Sequence, residues 1–347
     1  MPERSRTPGE RPAVVYIALG GTIASVLDAA GSGAAPGLSS TDLVSAVPGL
    51  TTLADVQTRD SASVGSSELT IADLLALRDT ALDAVEQGAV AVVVSQGTDT
   101  LEESAFALDL LWDRDEPIVF TAAMRNPSLP GADGPANLLA AVRCAVSPAA
   151  RGLGVLICVN DEVHAARFVR KAHTTNVATF RSSPLGPLGW VIEDRVRIPL
   201  RLNRFTPLAV PTGAEVPAVA SLTAVLGDDG RLLAQLPGLG YSGLVLSAMG
   251  GGHVPHSWMT ALCDLAGRMP VVLGSRAGAG ETLRRTYSRA GSEMSLLAAG
   301  LIPAGGLHPV KARILLILAL AAGYHDSRLR TLFESCGTLT GVSDRDC

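Results

Sequence analysis

The sequence predicts an α/β protein: two doubly wound domains with mainly parallel sheets, a larger N-terminal one and a smaller C-terminal one. Three observations carry this. Short, continuously apolar runs recur along the chain, each closed by glycine or a small polar residue and followed by a helix-like segment, which is the pattern of parallel strands buried on both faces. Hydrophobic residues make up 47% of the 347 residues while aromatics are only 4%, so the core is built from Ala, Val, Leu and Ile. The length itself suits two domains of ordinary size.

In order, the strand candidates are AVVYIALGG from Ala13, AVAVVVSQG from Ala89, PIVFTAAM from Pro117, GVLICVND from Gly154, GLVLSAMGGG from Gly243 and PVVLGSR from Pro270. Helices are expected over Thr70–Glu86, Leu101–Leu111 and Gly134–Val146. The apolar run Ile314–Gly323 is shorter than the roughly 20 residues that span a bilayer and reads as a core helix. TPLAVPTGAEVPAVA, residues 206–220, holds three prolines and no period, so it reads as a linker between domains at 13–205 and 221–335. Residues 336–347 read as a polar tail.

Net charge is −5, with no basic run and no aromatic stripe interleaved with one, so nucleic acid is not an expected partner. The N-terminus MPERSRTPGERP lacks the apolar segment of a secretory signal, and a cytoplasmic location is expected. The five cysteines are odd in number and scattered without metal-ligand spacing, which suits reduced thiols. No metal or organic cofactor is expected, and no membrane partner.

Three polar clusters fall at or near strand ends, where ligands collect in open parallel sheets. In GGTIAS, Gly20 and Gly21 let the backbone approach a ligand and present Thr22; the competing reading is a turn or a helix cap. In SQGTDTLEE, the competing reading is that Asp99 or Thr98 caps a helix starting near Leu101, with Glu102 and Glu103 favoured by its dipole. Capping alone does not account for Gly97, Thr98, Asp99 and Thr100 in direct succession. The third cluster, FVRKAHTTNVATF from Phe168, contains Lys171, one of only two lysines in a chain whose other basic residues are all arginine. A solvated charged pair with Arg170 is the ordinary reading. A lysine, however, can give up a proton where a guanidinium cannot, and this favours a proton-handling role.

GGTIAS at Gly20, QGTDTLEESAF at Gln96, AMR at Ala123, ADGPANLLAAV at Ala132, RKAHTTNVATF at Arg170 and HPVKARILLILAL at His308 together resemble the bacterial-type L-asparaginase and glutaminase-asparaginase family, over about Val14 to Phe333. The resemblance implies hydrolysis of L-asparagine to L-aspartate and ammonia. It makes Thr22 the nucleophile of a covalent acyl intermediate, and Thr98, Asp99 and Lys171 a relay that activates the hydroxyl or the attacking water. Backbone N–H groups near Thr98 and Ala123 would form the oxyanion hole. Gly97 and Ser66 fall among the substrate contacts, Ser66 at the α-carboxylate, and Asp99 would receive the α-ammonium. The family assembles as dimers that pair into tetramers, so a homo-oligomer is expected, each site completed by a partner's C-terminal domain.

The chain departs from the family pattern in four places. The segment SVLDAAGSGAAPGLSS, residues 25–40, has the composition of a mobile lid but lacks the family's lid tyrosine, leaving Ser25, Ser32 or Ser39 as substitutes. Ser67 stands where many members carry a substrate-touching Gln, and Gln96 where many have His. His253, in MGGGHVP, takes the place of a substrate-contacting Asn; its alternative is an ordinary surface loop. Three other readings compete: an amidohydrolase for another amide such as L-glutamine, a binding or regulatory homologue that has lost activity, and an amidotransferase subunit. The last is disfavoured because the first strand starts near Ala13, leaving no room for the extra N-terminal domain that role normally brings.

Overall fold

The computed structural model describes residues 11–27, 34–60 and 64–338. They form two compact units that divide at Arg201 and Leu202, with Asp109–Leu111 belonging to the second.

In the first unit, chain order runs β1 (Ala13–Ala18), β2 (Ser25–Leu27), β3 (Ala34–Pro36), α1 (Ser40–Ser45), α2 (Leu50–Leu53), β4 (Asp55–Asp60), α3 (Ile71–Glu86), β5 (Ala91–Ser95), α4 (Leu101–Leu111), β6 (Ile118–Thr121), α5 (Gly134–Val146) and β7 (Val155–Val159). It continues through β8 (Glu162–Ala165), β9 (Arg170–Lys171), β10 (Phe180–Arg181), β11 (Gly189–Ile192) and β12 (Arg195–Arg197). The main sheet has the order β12-β11-β8-β7-β6-β5-β1-β4. Its β4, β1, β5, β6 and β7 are parallel, while β8, β11 and β12 add on antiparallel. Every residue of β5, β6 and β7 is buried, as the unbroken apolar runs require.

Local chemistry sets the helix ends. The α3 helix opens on a reciprocal capping box, in which the Thr70 hydroxyl accepts from the Asp73 amide and the Asp73 carboxylate accepts from the Thr70 amide. Pro135 in the first turn of α5 gives up an amide that has no partner inside the helix in any case.

The second unit contains β13 (Val219–Thr223), β14 (Gly243–Ala248), α6 (Met259–Ala266), β15 (Val271–Ser275), α7 (Glu293–Ala298), β16 (Ile302–Pro303), α8 (Pro309–Ala321) and α9 (Asp326–Gly337). Its sheet, β13-β14-β15-β16, is parallel throughout. Its core includes Leu244, Leu246, Leu262, Leu273 and Leu296. The apolar run Ile314–Gly323 falls largely within α8, and no helix among the described residues is long and apolar enough to cross a membrane.

Two expected boundaries differ. The proline-rich segment 206–220 gives its last two residues to β13, because Val219 and Ala220 pair with Gly243 and Leu244 and are buried. The expected tail also starts too early: Cys336 and Gly337 are buried in the last turn of α9, and the Gly337 carbonyl accepts from the Gly306 amide at 2.9 Å. Residues 339–347 lie outside the described residues.

Candidate active site

From β1 the chain winds to β4 on one side and then to β5 on the other, so the winding reverses between β1 and β5. The crevice beyond the carboxyl ends of strands at such a reversal is where open α/β sheets bind ligands. Four of the predicted segments leave the sheet there. Gly20–Thr22 follows β1, Ser66 follows β4, Gln96–Thr100 follows β5 and Ala123 follows β6. Hydrogen bonds between strand ends hold them side by side: Leu19 N donates to Ser95 O at 2.9 Å, Gln96 N to Thr121 O at 3.2 Å and Val64 N to Leu19 O at 3.4 Å.

Thr22 begins a short 3-10 turn, Thr22–Ala24, entered through Gly20 and Gly21 at φ 93° and 91°. Only glycine adopts that conformation freely. Gly21 is constrained by space as well, since a Cβ on it would lie 2.3 Å from Gly97 N. The nucleophile candidate's turn therefore sits directly against the turn carrying Thr98.

Lys171 brings the second and third clusters together across the sequence. Its Nζ donates to Thr98 Oγ1 at 2.8 Å and to Asp99 Oδ1 at 2.6 Å. Thr98 is 7% exposed, and the Lys171 side chain 18%, whereas Asp99 is open to solvent on its outer side. The strand bearing Lys171 is only two residues long, β9, pinned by antiparallel pairing of Lys171 with Phe180 on β10. Past it, the Thr175 and Asn176 amides both donate to His173 Nδ1 at 3.1 Å, which shapes the hairpin loop.

This geometry goes against the competing capping reading. Neither Thr98 nor Asp99 caps α4. The cap residue is Thr100, without a side-chain cap bond, and its hydroxyl donates instead to Ser66 O at 2.8 Å. Gln96 belongs to the same network, its Nε2 donating to Thr100 Oγ1 at 3.1 Å and to Ser104 Oγ at 3.0 Å. In the sequence Gln96 is a motif residue and a departure from the family pattern; its link to the Ser66 segment runs through Thr100, and that tertiary contact has no local signal.

Ser66 is buried, and its hydroxyl and Cβ lie 2.7 and 2.9 Å from where a Cβ on Gly97 would stand. Gly97 is thus packed between the Gly21 and Ser66 segments with no room for a methyl group. Gly97→Ala is expected to push these segments apart, raising KM for substrate at least tenfold while the protein still folds, since a misplacement of about 1 Å can cost about 10²-fold. Steady-state kinetics would check this, and an unchanged KM would mean that Ser66 does not depend on the contact.

Thr98 also lines a small concavity together with Ala123, Met124, Asp133 and Asn137. Ala123 itself is 2% exposed at the end of β6. Ser67, by contrast, is exposed, and its hydroxyl donates to Glu68 Oε1 at 3.3 Å.

The expected lid is in part regular structure, because β2 and β3 pair antiparallel and form a ribbon at its two ends. The Ser25 hydroxyl donates to Gly21 O at 2.9 Å. Ser39 is occupied as the N-cap of α1, sharing a capping box with Asp42. Ser32 lies outside the described residues.

His253 lies in the second unit, where it is built into a cluster. Its Nε2 is 3.2 Å from Glu293 Oε2, and its ring meets Tyr287 edge-on at 5.0 Å. Glu293 is fully buried. Burial pushes its carboxyl pKa up, but the Tyr287 and Thr286 amides, the Glu293 amide and His253 outweigh this and hold it below its ordinary value. A depressed folded-state pKa contributes stability that is present above the unfolded value of about 4.3 and lost as pH falls through the folded value. The thermal midpoint is therefore expected to fall between pH 5 and pH 3 in the wild type and to change less in Glu293→Gln, which starts lower at pH 7. Calorimetry across that window checks it; parallel curves would remove Glu293 from the acid response.

Two α/β units, with Thr22 on a glycine turn packed against the turn of a Thr–Lys–Asp constellation at the sheet's reversal point, suit an amidohydrolase, and the family matches make the chain one. Residues 13–204 match the family described as Asparaginase, N-terminal, and residues 218–333 match the Glutaminase/Asparaginase C-terminal domain. The chain belongs to the asparaginase family. Its relatives include L-asparaginase 2 of Escherichia coli K12, 33% identical over 333 residues and covering 93% of both chains. Another is the Haemophilus influenzae protein named probable L-asparaginase periplasmic, 33% identical over 330 residues with the same coverage. A crystal structure of a probable cytoplasmic L-asparaginase from Campylobacter jejuni superimposes with a TM-score of 0.84 at 31% identity, covering 93% of this chain and 99% of that one.

Proposed function

We propose that this protein hydrolyses L-asparagine to L-aspartate and ammonia, with Thr22 as nucleophile. The observation that carries the reading is Lys171 Nζ bonded to both Thr98 Oγ1 and Asp99 Oδ1, on a turn packed against the Gly21–Thr22 turn. The names of the relatives given above, L-asparaginases or probable L-asparaginases, support the substrate.

Thr22 Oγ1 attacks the side-chain amide carbon, and its proton is taken up through the polar groups of the site, since a free hydroxyl is a weak nucleophile. The negative charge on the carbonyl oxygen is met by the N–H groups of Thr98 and Ala123, which need no reorganisation at the moment of reaction. The C–N bond breaks, ammonia leaves with the added proton, and aspartate remains esterified to Thr22. Water positioned by Thr98 and Lys171 then attacks the ester, restoring Thr22 and releasing L-aspartate. Ser66 and Gly97 face the α-carboxylate, and the open side of Asp99 receives the α-ammonium. Ser67 and the neighbouring subunit's copy of His253 would complete the pocket in a cytoplasmic homodimer or tetramer.

Ammonia release from L-asparagine, with L-glutamine alongside, tests the reading; turnover on L-asparagine exceeding that on L-glutamine is the expected result. The lid segment without tyrosine favours one alternative, a binding homologue that has lost activity. That protein would bind L-aspartate or L-asparagine in calorimetry and release no ammonia from either amide.

A further inference from the structure

The motif ADGPANL, from Ala132 to Leu138, opens α5, yet its polar side chains do not serve that helix. Asp133 occupies the N-cap position and makes no capping bond, although an aspartate there ordinarily accepts from an amide of the first turn. Its carboxylate accepts from the neighbouring loop instead. The Met124 amide lies 3.1 Å from Oδ1 and 3.0 Å from Oδ2, and the Arg125 amide lies 2.8 Å from Oδ1. Asn137 Nδ2 donates to Asp133 Oδ2 at 3.2 Å and to Ala122 O at 2.9 Å, while Asn137 Oδ1 accepts from the Asn160 amide at 2.8 Å. Ala123 is therefore held between two anchored stretches of backbone, Ala122 on one side and Met124–Arg125 on the other.

Gly134, the next residue, extends the same first turn of α5 toward the nucleophile candidate. A Cβ on it would lie 2.9 Å from Ile23 Cγ1 and 3.5 Å from Ala123 Cβ. Thus α5 begins in contact with the residue that follows Thr22 and with Ala123 at once.

We propose that Asp133 is a positioning residue for the reaction: with Asn137 it sets the Ala122–Arg125 turn, and the adjoining Gly134 seats that turn against the Thr22 segment. The inference rests on the reading above, in which the Ala123 N–H faces the developing oxyanion. Hydrogen bonds from N–H groups to an ionised carboxylate are short and strong, which suits a clamp that must hold a donor to within about 0.5 Å. A helix that forgoes its own cap is a local rule broken, and such breaks are expected where function needs the residue elsewhere.

Asp133→Asn keeps the shape but leaves one acceptor oxygen and turns an NH₂ toward groups that themselves donate. It is expected to lower kcat for L-asparagine roughly 10- to 100-fold, by displacing an oxyanion donor that is worth about 10²–10³-fold when removed outright. KM and the calorimetric Kd for L-aspartate should stay within about threefold, because the loss is confined to the transition state. A merely structural role would instead lower Tm and leave kcat per folded site unchanged. Gly134→Ala provides the second variant and decides the matter if Asp133→Asn does not fold: its methyl group presses on Ile23, and the same fall in kcat without a matching rise in KM is expected. Folded variants with kcat within about twofold of wild type would overturn the proposal. Wild type measured in the same series separates the two readings, since a wild type inactive on both amides removes the proposed function and this inference with it, whereas an active wild type with equally active variants removes this inference alone.

Discussion

Thr22→Ala is expected to lower kcat for ammonia release from L-asparagine on the order of 10⁴-fold, while L-aspartate still binds with a Kd close to that of wild type. In the proposed reaction the size of the effect follows from covalent catalysis, in which the hydroxyl would form the bond that divides amide hydrolysis into two easier steps, and alanine has nothing to form it with. Binding should survive because the substrate's α-groups are assigned to Ser66, Gly97 and Asp99 on the β4 and β5 turns, which the substitution does not touch. The turn itself should survive too, as its conformation is set by Gly20 and Gly21. Quenching the wild-type reaction and digesting it should yield a Thr22 peptide heavier by an aspartyl group, absent from the variant. Turnover above about a tenth of wild type in Thr22→Ala would place the nucleophile elsewhere, Thr98 being the next hydroxyl in the crevice.

How far the sequence could be read depended on the range of the forces involved. The α4 helix, Leu101–Leu111, and the α5 helix, Gly134–Val146, are where periodicity and end signals put them, and β5, β6 and β7 follow from unbroken apolar runs. Those features are local. The β9–β10 and β2–β3 ribbons were not legible, because two or three residues hold no period and their pairing depends on partners several positions away. The capping reading of Asp99, the weaker of the two the sequence allows, gives way for a related reason. Locally its carboxylate suits a helix start, but Lys171, 72 positions on, takes it up. Asp133 repeats the case, a nominal cap drawn off by Met124 and Arg125. In both places the departure from the local rule coincides with the candidate site, which suggests a means of finding such residues: compare each nominal cap with the bond it actually makes.

Replacing Lys171 by methionine is the sharper test of the relay, with an expected loss of roughly 10³-fold in kcat, the range in which positioned acid–base groups act. Methionine keeps much of the side chain's bulk but gives up both donated bonds, leaving Thr98 Oγ1 and Asp99 Oδ1 without the ammonium that joins them. Arginine then distinguishes two roles for the amine. A guanidinium preserves the positive charge beside Asp99 yet never releases its proton, and its planar fork does not reproduce a single nitrogen serving two oxygens. If Lys171 moves a proton, Lys171→Arg should remain at least about 10²-fold below wild type. If Lys171 only neutralises Asp99, arginine should restore most of kcat. The first outcome is expected, since a chain that writes nearly all its basic residues as arginine keeps a lysine here, where its one nitrogen meets the Thr98 hydroxyl and the Asp99 carboxylate together.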